Sequence, residues 1–135
     1  ETLASVEKIQ SHFKEFGFGL FAAELRSTKK FIGFVGLKYF SFDAPFTPNI
    51  ELAWRLAWEH WGKGLATEAA LKVTQYGFEI LKLPQILAVT AKNNKRSWRV
   101  MEKLGMLSDP EENFLHPQLD NLHPFSEHVL YRIWR

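Results

Sequence analysis

Ile50 to Leu81, reading IELAWRLAWEHWGKGLATEAALKVTQYGFEIL, decides the fold. Asn49 to Ala57 reads as a mostly apolar strand, and Trp61-Gly62-Lys63-Gly64-Leu65-Ala66 as a short glycine turn. A long helix then runs from Gly64 to about Lys82 and stops before Pro84. Ala66, Ala69 and Ala70 keep that helix slim where it must lie against a sheet. Gln85 to Ala91 follows as a short β-branched and apolar run. The result is a strand, helix, strand unit, expected to be parallel and right-handed.

The turn at the helix start is a candidate ligand site. The first backbone N–H groups of a helix have no intrahelical partner and carry partial positive charge, which favours an anion, typically phosphate. Gly62 and Gly64 leave no Cβ between those amides and a ligand, and Lys63 adds a positive charge. Taken alone, the two glycines also describe an ordinary tight turn. A dinucleotide fingerprint is a poor fit, because it needs Gly or Ala where Thr67 stands. A P-loop needs four residues between its first and second glycines.

Composition narrows the classes. A chain of 135 residues with 46% hydrophobic and 15% aromatic content can bury a core and reads as one domain, 1–135. Seventeen Lys and Arg against fifteen Asp and Glu leave only +2, without the basic excess that holds nucleic acid. No cysteine is present, which excludes disulfides and thiolate ligands and suits a reducing, cytoplasmic setting. No apolar run approaches the ~18 residues that would span a membrane. The chain begins with Glu1 and a helix-like segment without a signal peptide, so a fragment or processed chain is expected.

Around the central unit, Leu3 to Phe16 spaces Val6, Ile9, Phe13 and Phe16 as an amphipathic helix ended by Gly17. Phe18 to Arg26 and Phe31 to Phe42 read as antiparallel strands about the polar turn Ser27-Thr28-Lys29-Lys30, with a proline-bearing loop from Asp43 to Pro48. Lys95 to Leu104 is a second short helix capped by Gly105. Leu115 to Pro124 is a loop, and Glu127 to Arg135 a last strand.

Three ordered stretches carry a resemblance. Trp61, Gly64 and Ala66, in the phrase WGKGLATEA, fill the frame of an acyl-CoA motif (Gln or Arg, two residues, Gly, one residue, Gly or Ala), with Trp61 at the charged position. Asn94-Lys95-Arg96-Ser97 with Glu102-Lys103-Leu104-Gly105-Met106 looks like a second motif. The tail His116-Pro117, His123-Pro124 and His128 to Arg132 is similar to the ending of one bacterial subgroup. Together they resemble the GNAT N-acetyltransferases, and within them the Rim-type branch that includes acetyltransferases of ribosomal proteins.

The resemblance implies an α/β (α+β) fold: a mixed, mostly antiparallel sheet with a central parallel strand-helix-strand unit and helices on both faces. It implies acetyl-CoA as cosubstrate, a primary-amine acceptor such as a protein N-terminus or small molecule, and no metal. Backbone groups of Trp54, Arg55 and Leu56 would hold the pantetheine and acetyl, and those of Trp61, Gly62, Lys63, Gly64, Leu65 and Ala66 the pyrophosphate. Asn94 and Ser97 would complete the cofactor site. Two departures stand out. The usual first strand and helix are expected to be missing, leaving a sheet edge open to pairing, a homodimer included. The thiolate-protonating tyrosine of many members is Met101, which donates no proton.

Glu51 is the candidate catalytic base, because a carboxylate in an apolar strand tends to rise in pKa. A cross-strand ion pair with Lys38 is the plainer alternative. Arg55 is too far along the strand, roughly 13 Å, to be its partner. His128 is a weaker candidate base, and loop packing accounts for His116 and His123. Lys95, Arg96 and Arg99 beside Trp98 read first as a solvated helix face, second as a phosphate clamp, and last as a small nucleic-acid patch. A catalytically idle acyl-CoA-binding module, or a dinucleotide-binding half domain, would be the rival readings. The half domain lacks an acidic residue in the Gln85 strand for ribose recognition.

Overall fold

The computed structural model describes residues 2–135, with side chains from Ala4 onward. Glu1 lies outside the described residues. Helix α1 (Thr2–Phe16) precedes strands β1 (Leu20–Glu24), β2 (Phe31–Tyr39) and β3 (Ile50–Leu56), then helix α2 (Leu65–Glu79), strand β4 (Gln85–Ala91) and helix α3 (Lys95–Lys103). Three strands finish the chain: β5 (Leu107–Ser108), β6 (Phe114–Leu115) and β7 (Glu127–Trp134). The sheet runs β1-β2-β3-β4-β7-β5, with β6 also pairing β7. Every ladder is antiparallel except that of β3 with β4, so the expected mixed sheet around one parallel unit is present.

Residues opposite each other across a ladder share a face, which locates the core. Val35 faces Trp54, Leu37 faces Leu52, and Ala88 faces Tyr131. These side chains form one cluster with Ala70 and Val73 of α2 and with Met101 and Leu104 at the end of α3. Fully burying each such aliphatic side chain contributes about 1.5 to 3 kcal/mol. The fit of α2 is close: a Cβ on Gly77 would stand 2.8 Å from Ile86 Cδ1 and 2.9 Å from Leu37 Cδ1. The small residues of this helix let it sit directly on the strands.

Helices on both faces are not what the packing gives. The Phe21 ring meets Phe13 of α1 at 5.4 Å and Tyr76 of α2 at 5.9 Å, so α1 leans on the same face as α2 and α3. The opposite face is closed by loops instead. Phe46 packs there with Leu87 and Leu130, flanked by Phe40, Phe42 and Phe114. Aromatic side chains from the 40–49 connection, with Phe114 of the short strand β6, cover apolar area that a helix would otherwise cover.

Local signals explain the element ends. Asn94 caps α3, its side chain accepting the Ser97 N–H at 3.3 Å, and Gly105 at φ +86° turns the chain out of that helix. Helix α2 ends at Glu79 rather than near Lys82, because Lys82 adopts the left-handed conformation on the way to Pro84. Among the described residues, no helix is long and apolar enough to cross a membrane.

Candidate functional site

Strand β3 pairs with β2 along its whole length but meets β4 at a single ladder position, Glu51 opposite Leu87. Beyond it the two strands diverge. A cleft of about 190 Å³ opens between them, walled by Glu51 to Trp54 on β3 and by Val89 and Thr90 on β4, with Asn94, Ser97 and Met101 also lining it. It adjoins a larger cavity of about 390 Å³, sharing Trp54, Asn94 and Ser97 with it. The larger cavity reaches from Trp54, Arg55 and Leu56 past the glycine turn to the start of α2.

Alternation along β3 shows which backbone groups meet the cleft. Phe40 N–H donates to Asn49 O at 3.3 Å and Ala57 N–H to Ile32 O at 2.9 Å, so odd-numbered residues direct their main-chain polar groups toward β2. Even-numbered residues direct theirs the other way, toward the gap left by β4. Trp54 and Leu56 therefore present main-chain groups on the cleft side, and the Leu56 carbonyl accepts from Trp61 Nε1 at 2.8 Å. Arg55 does not: its carbonyl closes against Gly33, where a Cβ would lie 2.0 Å from Arg55 O. Arg55 lines the cavity with its carbonyl turned to β2, so the cleft-side backbone groups here are those of Trp54 and Leu56.

The turn is built as its glycines suggest. Gly62 has φ +75° and Gly64 φ +76°, left-handed values that cost a residue with a Cβ about 1 to 2 kcal/mol. Gly64 is the residue from which α2 starts, without a side-chain cap. A Cβ there would meet nothing within 4 Å, so the space beside the helix start is open. The Leu65, Ala66 and Thr67 N–H groups belong to the unpaired first turn, with all three residues on the cavity wall. Arg96 stacks its guanidinium over the Trp61 ring at 5.2 Å, and its Nη1 would lie 3.7 Å from a Cβ on Gly62. Arg96 and Arg99 thus face the cavity rather than forming only a solvated helix face.

The cavity gathers Trp54, Arg55, Leu56, Trp61, Gly62, Gly64, Leu65, Ala66, Asn94 and Ser97. Lys63 stays off its wall. Asn94 spends its side-chain oxygen on capping α3. This arrangement fits an elongated, phosphorylated ligand. It offers a helix start with free amides, two arginines, and a slot between strands for an extended arm.

Glu51 is 8% exposed and borders the cleft. Burial pushes its carboxyl above the ordinary range, while the charge of Lys38 and a hydrogen bond from it draw it partly back. Lys38 Nζ lies 2.7 Å from Glu51 Oε2. Glu51 is ion-paired with Lys38, the plainer of its two sequence readings, and it lies at the split.

His128 sits elsewhere, against Phe114 at 5.5 Å and His116 at 4.9 Å, and lines neither cavity. Burial, then the nearby His116, lowers its pKa. His116 Nδ1 accepts the Gln118 N–H at 3.1 Å and His123 Nδ1 the Phe125 N–H at 3.0 Å, as loop packing requires. Sequence spacing missed His60, which is buried on the wall of the larger cavity. Its only sequence signal is adjacency to the Trp61 turn. Among the described residues, no group of three or more His, Asp or Glu is placed to hold a metal.

Comparison with known proteins agrees with this geometry. A family model described as "Acetyltransferase (GNAT) domain" matches residues 1–107. The uncharacterized Bacillus subtilis protein YkkB is 34% identical over 97 residues, 72% of this chain and 55% of that one. The spermidine N(1)-acetyltransferase of Escherichia coli K12 is 36% identical over 66 residues, 47% of this chain and 36% of that one. Among solved structures, an acetyltransferase from Agrobacterium tumefaciens aligns with a TM-score of 0.71 and 28% identity, covering 98% of this chain and 72% of its own. A ribosomal-protein-S5-alanine acetyltransferase from Vibrio fischeri aligns at 0.74 over 97% of this chain and 69% of its own, with 20% identity, a likeness of fold alone. The chain spans about half the length of the curated relatives it matches. The matched domain, the split between β3 and β4, and the glycine turn at α2 agree: this chain belongs to the GNAT acetyltransferase family.

Proposed function

We propose that the chain transfers an acetyl group from acetyl-CoA to a primary amine, within the Rim-type branch of the family. The observation that carries this is the continuity of the cleft from Glu51, past the cleft-side N–H of Trp54, to the α2 start. Acetyl-CoA, when bound, supplies an activated acyl group on a thiolate leaving group. The chain's residues supply the rest. The Trp54 N–H donates to the thioester carbonyl oxygen and stabilises the charge that develops there. The helix start and Arg96 hold the phosphates. Glu51 takes a proton from the acceptor ammonium. Three residues of strand, roughly 10 Å, separate Glu51 from Trp54, so the proton travels through water.

Met101 is 1% exposed at the cleft and donates no proton, so the thiolate takes its proton from solvent. A thiol with a pKa of about 8.5 leaves readily enough for this. The absence of cysteine suits a cytoplasmic setting. The similarity to spermidine N(1)-acetyltransferase makes polyamines one acceptor class to test beside protein N-termini. Thiol release from acetyl-CoA is the test, measured across spermidine, lysine and peptides with free N-termini. Acetyl-CoA binding without turnover on any amine would favour a binding module instead.

A further inference from the structure

His60 closes the short helical turn Trp58–His60, its N–H donating to Ala57 O at 2.9 Å. The residue is 7% exposed, and among the described residues neither Nδ1 nor Nε2 finds a hydrogen-bond partner. A neutral imidazole carries one donor and one acceptor. Leaving each buried and unpaired forfeits its hydration without a compensating bond, which is why such groups are rare. This one lies where the cavity passes from β3 to the glycine turn, flanked by Leu56 and Trp61. Leu56 and Trp61 are already satisfied by each other.

We infer that His60 is a ligand-binding residue whose ring N–H is satisfied by a phosphate oxygen of the CoA ester, at the junction of its pantetheine arm and pyrophosphate. This inference rests on the acyl-CoA reading of the cavity. Both nitrogens are closed off in the free protein, so binding requires the ring to turn about its Cβ–Cγ bond until a nitrogen reaches the cavity that His60 lines. The hydrogen bond then adds to those from the α2 amides at the same charged group. The free protein holds an unpaired polar ring at this point, and ligand binding relieves it.

The arrangement makes opposite predictions for stability and for affinity, which a purely structural histidine does not. In His60→Phe the unpaired nitrogens are gone, so the free protein melts at or above the wild-type temperature. Its affinity for CoA falls about tenfold, the loss of one charge-assisted hydrogen bond. His60→Gln keeps a donor and holds CoA within about threefold of wild type. Calorimetric titration with CoA, melting curves, and the ring ¹⁵N shifts of His60 in wild-type protein with and without CoA make the test. A folded His60→Phe that binds CoA as wild type does overturns the inference and leaves the acyl-CoA reading standing. Ring nitrogens whose shifts do not move as CoA binds overturn it too, even if His60→Phe fails to fold. Wild-type protein that binds neither CoA nor acetyl-CoA removes the reading itself.

Discussion

Lys38 Nζ and Glu51 Oε2 lie 2.7 Å apart on neighbouring antiparallel strands, directly opposite in register, with the carboxylate side chain 10% and the ammonium side chain 30% exposed. The pair occupies the sheet face away from the helices, at the last rung before β3 and β4 separate. Its two members play unequal parts. Glu51 borders the cleft and Lys38 does not.

The first prediction concerns pH. Burial raises the Glu51 carboxyl in the folded protein, so this group favours folding when protonated. Its contribution is fully present below the ordinary carboxylate pKa and is lost as pH rises through the raised value. With Glu51 as the proposed base, the acid limb of kcat/KM should lie above the ordinary carboxylate range. Lys38→Met removes the charge that holds the carboxyl down, and the limb moves to higher pH. A pH–rate profile of wild type and Lys38→Met checks this. An unmoved limb means that the pair does not govern the base.

Glu51→Gln keeps shape and hydrogen bonding but accepts no proton. It should lower kcat by roughly 10² to 10⁴ at neutral pH and leave acetyl-CoA affinity nearly intact, with partial recovery as pH rises. The melting temperature is measured beside it. Wild-type turnover in a folded variant would pass the proton to water alone.

Gly64→Val places a β-branched side chain at φ +76° and beside the free amides of α2. CoA affinity should vanish while the rest of the fold survives, as circular dichroism and calorimetry can show together. Lys63→Ala provides the contrast. Lys63 stands off the cavity wall, so affinity should fall about fivefold or less, and the difference should shrink with salt.

His12 joins α1 to the sheet from both ring nitrogens: Nδ1–H donates to Phe18 O at 2.7 Å and Nε2 accepts the Tyr39 N–H at 3.0 Å. His12→Ala should destabilise the protein by about 1 to 3 kcal/mol in denaturant unfolding, with CoA affinity unchanged. A loss of CoA affinity without a loss of stability would contradict the purely structural role.

Much of this protein was legible in its sequence, because the deciding signals are local. Strand β4 begins and ends where its β-branched run does, and Gly64, Asn94 and Gly105 mark helix ends by chemistry that acts within one turn. The parallel unit followed from the single helix between β3 and β4. The candidate cofactor residues could be named because a strand, a glycine turn and a helix start are contiguous in the chain. Tertiary structure decided what depends on separated residues. It put all three helices on one face, while Phe46 of a loop and Phe114 of the short strand β6 close the other. It turned the Arg55 backbone toward β2, since strand alternation has a parity that only pairing fixes. It brought Arg96 over Trp61, and it left His60 buried without a partner. Hydrogen-bond satisfaction is a property of the whole folded neighbourhood, and no spacing along the chain records it.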